Sequence, residues 1–139
     1  MEITANALQT VASNQNVLFT ETAVRGNCSI IHREGSGLVT LRGITDQCRA
    51  RFRVSFGANV AIPAGGTVAP ISLAIAINGE AIGPATVIST PTAAEAFNNV
   101  FTSIFLNVPA GCCYTISVTN TGDDDVDVQN ANLIVERVA

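Results

Sequence analysis

Apolar and polar positions alternate with a period of two along most of the chain. The clearest run is Arg51-Phe52-Arg53-Val54-Ser55-Phe56, with Phe52, Val54 and Phe56 on one face and Arg51, Arg53 and Ser55 on the other. That is the pattern of a half-buried antiparallel strand, and Arg49 continues its polar face. A second run, Pro70 to Ile77, sends Ile71, Leu73, Ile75 and Ile77 one way and the small residues Ser72, Ala74 and Ala76 the other. This small, uncharged face suits contact with another layer or another subunit. Asn78-Gly79 follows, and both residues tolerate the positive φ of a type I′ turn. The spacing therefore predicts a hairpin whose return strand runs from Ala81 to Ser89.

Further short strands are expected near Ala7–Ala12, Asn16–Thr20, Ser29–His32, Leu38–Arg42, Asn99–Asn107, Tyr114–Thr119, Val126–Gln129 and Ala131–Val138. Turn signals separate them at Gly35-Ser36-Gly37, Pro63-Ala64-Gly65-Gly66, Pro109-Ala110-Gly111 and Thr121-Gly122-Asp123. The best helical stretch, Ala93 to Phe97, is about one turn long. Around ten short strands with this punctuation indicate an all-β sandwich, jelly roll or closed barrel. No linker, repeat or low-complexity tract interrupts the pattern, so one domain is expected over residues 1–139.

Composition adds a hint of assembly. The chain is 47% hydrophobic and only 13% charged, about half the usual charged share, with a mean hydropathy of +0.37. A surface so poor in charge suggests subunit interfaces. The longest aliphatic stretch, around Leu73 to Ile77, is far short of the roughly 18–20 residues of a membrane-spanning helix. Met1 to Asn6 has neither a basic n-region nor an apolar h-region, which implies synthesis in the cytoplasm, unless a signal has been removed. The net charge is −4 and every positive charge is an arginine. Seven arginines on an acidic chain do not make the broad basic surface that nucleic acid requires.

Candidate chemistry is sparse. Cys28, Cys48, Cys112 and Cys113 allow two disulfides in three connectivities, although Cys112 and Cys113 would face opposite ways in a strand. Cys28 and His32, with Cys48 or the Cys112/Cys113 pair, supply ligand types for tetrahedral zinc, but without the two close pairs of a zinc signature. Asp123, Asp124, Asp125 and Asp127 lack the spacing of a calcium loop and read as a solvated turn. Arg49, Arg51 and Arg53 form a stripe that is either a solvated strand face or a surface for an acidic partner. Asn27-Cys28-Ser29 is a formal glycosylation acceptor. A single histidine leaves little room for nucleophilic catalysis, and Gly35-Ser36-Gly37 reads as a turn rather than a nucleophile elbow. Neither an enzyme nor a cofactor is expected.

Four segments carry a resemblance: Ala7-Leu8-Gln9-Thr10-Val11-Ala12, Asn16-Val17-Leu18-Phe19-Thr20, Ile71 to Gly79, and Asn130-Ala131-Asn132-Leu133-Ile134-Val135. In strand order and pattern they resemble the tumour-necrosis-factor-like and complement-type globular heads at the C-termini of bacterial collagen-like surface proteins, spore-surface glycoproteins among them. The resemblance spans nearly the whole chain. It implies a ten-stranded antiparallel jelly roll that forms trimers and displays or binds rather than catalyses. It makes Ser72, Ala74, Ala76, Phe101 and Phe105 candidates for the threefold contact. The Gly-X-Y stalk of that family is absent. The resulting expectation is a homotrimeric structural protein on a virion or spore surface, seated on a major capsid or coat protein. The alternative is a carbohydrate- or receptor-binding head. A cupin-like metalloenzyme is the remote third reading, since one histidine cannot supply the usual metal ligands.

Overall fold

The structure, a computed structural model, covers all 139 residues. It contains eleven strands and no helix: β1 (Glu2–Ala5), β2 (Gln9–Val11), β3 (Glu21–Val24), β4 (Ile30–His32), β5 (Val39–Arg42), β6 (Arg49–Ala61), β7 (Ile71–Ile77), β8 (Glu80–Ser89), β9 (Asn98–Pro109), β10 (Cys113–Asn120) and β11 (Val126–Arg137). They build two antiparallel sheets. One has the order β3-β1-β11-β6-β9, with β2 added beside β11; the other is β4-β5-β10-β7-β8. The pairs β1·β11, β5·β10, β6·β9 and β7·β8 nest inside one another along the chain.

The inward faces share a single apolar core. Phe52, Val54, Phe56, Leu133 and Val135 come from the six-stranded sheet; Leu41, Leu73, Ile75, Ile116 and Val118 come from the other. Each such side chain removed from water contributes about 1.5–3 kcal/mol, and together these offset the ordering of a long, largely non-local chain.

The alternation of Arg51–Phe56 is realised, but β6 runs on through Gly57 to Ala61. A glycine in mid-strand reads as a break in sequence, yet here it stays paired on both sides, to Phe101 and to Asn132. The Asn78-Gly79 hairpin forms as expected, with φ of 53° and 85° at the two residues. Asn78 is further fixed by Thr115, whose amide donates to the Asn78 side-chain oxygen at 2.9 Å.

Five expectations need correction. The strands number eleven rather than ten. Asn16–Thr20 is not a regular strand, although Val17 and Phe19 are fully buried as the alternation implies. The amides of Val17, Phe19 and Thr20 donate to the carbonyls of Val118, Ser36 and Thr4, and that of Leu18 to the Gln9 side chain, so the segment follows no single partner strand and no continuous ladder forms. The first pairing segment is instead Glu2–Ala5, and the stretch expected at Ala7–Ala12 shortens to Gln9–Val11. The two segments expected between Val126 and Val138 are one strand, kinked at Asn130, where φ is 54° and the register shifts between Gln129 and Asn132. Ala93–Phe97 forms no helix; Glu95 takes a φ of 63° and its amide bonds to Ile62 O.

Candidate subunit interface

Because side chains alternate along β9, residues between its buried positions Val100, Leu106 and Val108 turn outward. Phe101 and Phe105 are each 65% exposed. The register brings them into rows with neighbouring strands. Phe105 stands beside Arg53, which stands beside Glu136; Ser103 beside Ser55, then Ile134, then Glu2; Phe101 beside Gly57, then Asn132, then Thr4. The outer face of the six-stranded sheet therefore carries Phe101, Phe105 and Ile134 around a shallow centre of Ser55, Ser103 and Gly57. The two serine hydroxyls share a hydrogen bond at 2.9 Å. Burying one such phenylalanine ring is worth roughly 2–3 kcal/mol.

Polar groups bound this patch on both sides. On one side Arg53 pairs with Glu136 in the molecule's single salt bridge. Arg51 Nε donates to Asn107 Oδ1 at 3.4 Å, and Arg49 lies exposed next along the strand. On the other side, amides link across four segments: Asn99 donates to Asn59 at 3.2 Å, Asn59 to Asn130 at 3.1 Å, and Asn130 to Asn6. Beside this chain lies an open depression of about 360 Å³ lined by Glu2, Thr4, Asn99, Phe101 and Asn132. At the edge of the face, the Met1 α-amino group donates to Val135 O at 2.6 Å. Burial lowers its pKa from the usual value near 8.0, against the opposing pull of Glu136 and Glu2.

The other interface candidates lie elsewhere. Ser72, Ala74 and Ala76 face outward from the five-stranded sheet, so they share no surface with Phe101 and Phe105. Ala74 and Ala76 are each 1% exposed. Ala74 sits between Thr86 and Thr119, and Ala76 between Ala81 and Ser117, so their own sheet already covers them. Ser72 keeps some exposure and its hydroxyl lies 2.6 Å from that of Thr121.

The residues with ligand chemistry are dispersed by the fold. No three of the His, Cys, Asp and Glu side chains come together as a metal-holding group. His32 Nε2 bonds with Ser36 O at 2.9 Å, inside the β4–β5 turn where Gly35 takes a φ of 90°. Asp127 accepts from Thr10 Oγ1 at 2.7 Å on the sheet, apart from Asp123, Asp124 and Asp125 in the β10–β11 loop. All four cysteines are exposed free thiols, and no candidate disulfide is formed. Asn27 uses its side-chain oxygen to accept the Ser29 amide at 2.8 Å.

The sequence reading missed the contribution of Ile134, Ser55, Gly57 and the asparagine chain to this face. Ile134 lies in a run of apolar residues, and only the strand register shows that it points away from the core. No protein-family model matches the chain, and no curated protein matches it either.

Proposed function

We propose that this protein is a non-enzymatic structural subunit, a jelly roll of the tumour-necrosis-factor-like and complement type that assembles as a homotrimer on the surface of a particle. The carrying observation is the outer face of the six-stranded sheet, where Phe101, Phe105 and Ile134 stand exposed around a hydrogen-bonded serine pair. An apolar cluster rimmed by charge is the composition of a protein contact. The nested pairing β1·β11, β5·β10, β6·β9 and β7·β8, with successive pairs falling in alternate sheets, supports the jelly-roll reading: it is what a long hairpin makes when rolled up.

In this reading, neighbouring copies cover the two phenylalanines around a threefold axis. The arginine stripe at Arg49, Arg51 and Arg53 borders that contact and meets acidic groups of the neighbour or of an underlying capsid or coat protein. The particle is a phage capsid, decorated by these trimers, or a spore. Light scattering tests the assembly: a mass three times that of the subunit is expected at micromolar concentration, and a stable monomer overturns the reading. Antibody labelling of intact virions or spores from the producing cell tests the placement.

One observation favours a second reading, a carbohydrate-binding head. The depression beside Phe101 offers amide groups, the Glu2 carboxylate and one aromatic face, the groups that hold sugar hydroxyls and rings. A glycan array decides it; binding that is lost in Asn99→Ala supports this reading, and an array without hits removes it.

A further inference from the structure

The depression beside Phe101 holds an uneven set of polar groups. Its volume is about 360 Å³, and Glu2 is the one charged residue among those lining it. Glu2 and Thr4 come from β1, Asn132 from β11, and Asn99 and Phe101 from β9. Between β11 and β9 runs β6, which places Gly57 opposite both Asn132 and Phe101. With no side chain at Gly57 the floor is main chain. The Asn132 side-chain oxygen and the Phe101 ring stand close over it, 3.0 Å and 3.5 Å from where a Cβ on Gly57 would lie.

The carboxylate fixes the amide next to it. An ionised carboxylate only accepts hydrogen bonds, so Asn132 turns its nitrogen to Glu2 and donates from Nδ2 to Oε2 at 3.3 Å. The Asn132 oxygen is left without a donor. Asn99 uses its nitrogen on Asn59 at 3.2 Å, which frees its oxygen in the same way. The depression therefore offers Glu2 Oε1, Asn132 Oδ1 and Asn99 Oδ1 as acceptors, against the Thr4 hydroxyl and the Asn6 nitrogen as donors. The cations around this face are engaged elsewhere: the Met1 α-amino group donates to Val135 O at 2.6 Å, and Arg53 pairs with Glu136. A ligand complementary to this set is rich in donors, carries a positive charge, and has an apolar face to lay on an aromatic ring.

We propose that this depression binds an amino sugar whose amine is free and protonated, an assignment that rests on the carbohydrate-head reading and names its ligand class. The sugar ammonium donates to the Glu2 carboxylate and the Asn132 oxygen, a charge-assisted contact. Ring hydroxyls donate to Asn99 and exchange bonds with Thr4, and the apolar face of the pyranose lies on the Phe101 ring. A neutral hexose supplies the hydroxyls and the apolar face but covers Glu2 without a counter-charge, which costs desolvation with no return. N-acetylation fails for the same reason, because it turns the ammonium into an uncharged amide. Selectivity for the free amine is thus set by one carboxylate, held in place by one asparagine.

The test is calorimetric titration of the whole chain with three probes: the glucosamine trisaccharide, its fully N-acetylated form and the matching glucose trisaccharide. The glucosamine probe is expected to bind at least about tenfold more tightly than either of the others. That preference should vanish in Glu2→Gln, whose side-chain oxygen still accepts from Asn132, and should be unchanged in Asp124→Asn, a carboxylate outside the depression. Equal binding of the three probes, a preference that survives Glu2→Gln, or one that falls as much in Asp124→Asn and so follows net charge alone, each overturns the amino-sugar assignment and leaves the carbohydrate head standing. Absence of binding by all three probes overturns the assignment as well, and the carbohydrate head then falls only if the glycan array is also blank.

Discussion

Phe101 lies directly across the β6·β9 ladder from Gly57. A Cβ on Gly57 would come 3.5 Å from the Phe101 ring and 3.0 Å from the Asn132 side-chain oxygen. The missing side chain lets an aromatic ring and an amide close over the strand between them. Each residue alone is unremarkable in sequence.

Replacing Phe101 and Phe105 with serine is expected to leave the subunit folded and to abolish self-association. Both rings project outward, so subunit stability should change by no more than about 0.5 kcal/mol. Light scattering beside a denaturant melt checks both halves. A variant that still associates would show that copies meet elsewhere.

Phe52→Ala and Phe56→Ala should behave in the opposite way. Both side chains are sealed between the sheets, and truncation leaves a cavity costing about 3–5 kcal/mol. Urea unfolding should report a fall of that size.

Gly43→Ala is expected to be destabilising. Its added Cβ would meet Pro109 O at 2.1 Å. The obstacle is main chain, so the β5–β6 connection and the β9–β10 turn must separate, at about 1–3 kcal/mol. Gly83→Ala, with nothing within 4 Å, is the matched control and should be close to neutral.

Asn120→Ala tests a buried polar anchor. The fully buried Asn120 side chain donates to Val11 O at 3.0 Å and Asp124 O at 2.8 Å and accepts from the Gly122 amide at 3.0 Å. Alanine strands these main-chain groups, at about 2–4 kcal/mol in total. The β10–β11 loop should lose hydrogen-exchange protection first.

The Met1 α-amino group should make stability rise with pH. Its pKa is lowered in the folded chain, so below the unfolded value near 8.0 the unfolded state binds more protons. Stability from this group therefore increases between the folded pKa and about pH 8 and is level above it. Comparing melts of free and N-acetylated protein from pH 7 to 9 isolates the effect, and identical pH slopes would contradict it.

Strand character was legible wherever the period of two was strict. Arg51–Phe56 and Ile71–Ile77 show their buried faces directly, and Asn78-Gly79 announces its turn by the φ it tolerates. A strand was expected at Asn16–Thr20, where Val17 and Phe19 are buried, but alternation does not reveal where an amide finds its acceptor, and theirs find no continuous strand. Glu2–Ala5 escaped notice because a four-residue segment carries too little pattern. Phe101 and Phe105 do project outward, whereas Ala74 and Ala76 have side chains so short that adjoining strands cover them.

By itself, the sequence determined an all-β chain, the inward face of its long strands and the place of its tightest hairpin. These follow from side-chain alternation and backbone preference, which act over a few residues. Only the tertiary structure decided that Phe101, Phe105 and Ile134 share a face, that Ala74 and Ala76 are closed in, and that the loops carrying Cys28, Cys48 and Cys112 are tied together by main-chain bonds. Those outcomes depend on strand order and register, which are selected by the packing of two whole sheets around one core, and no short stretch of chain carries that information.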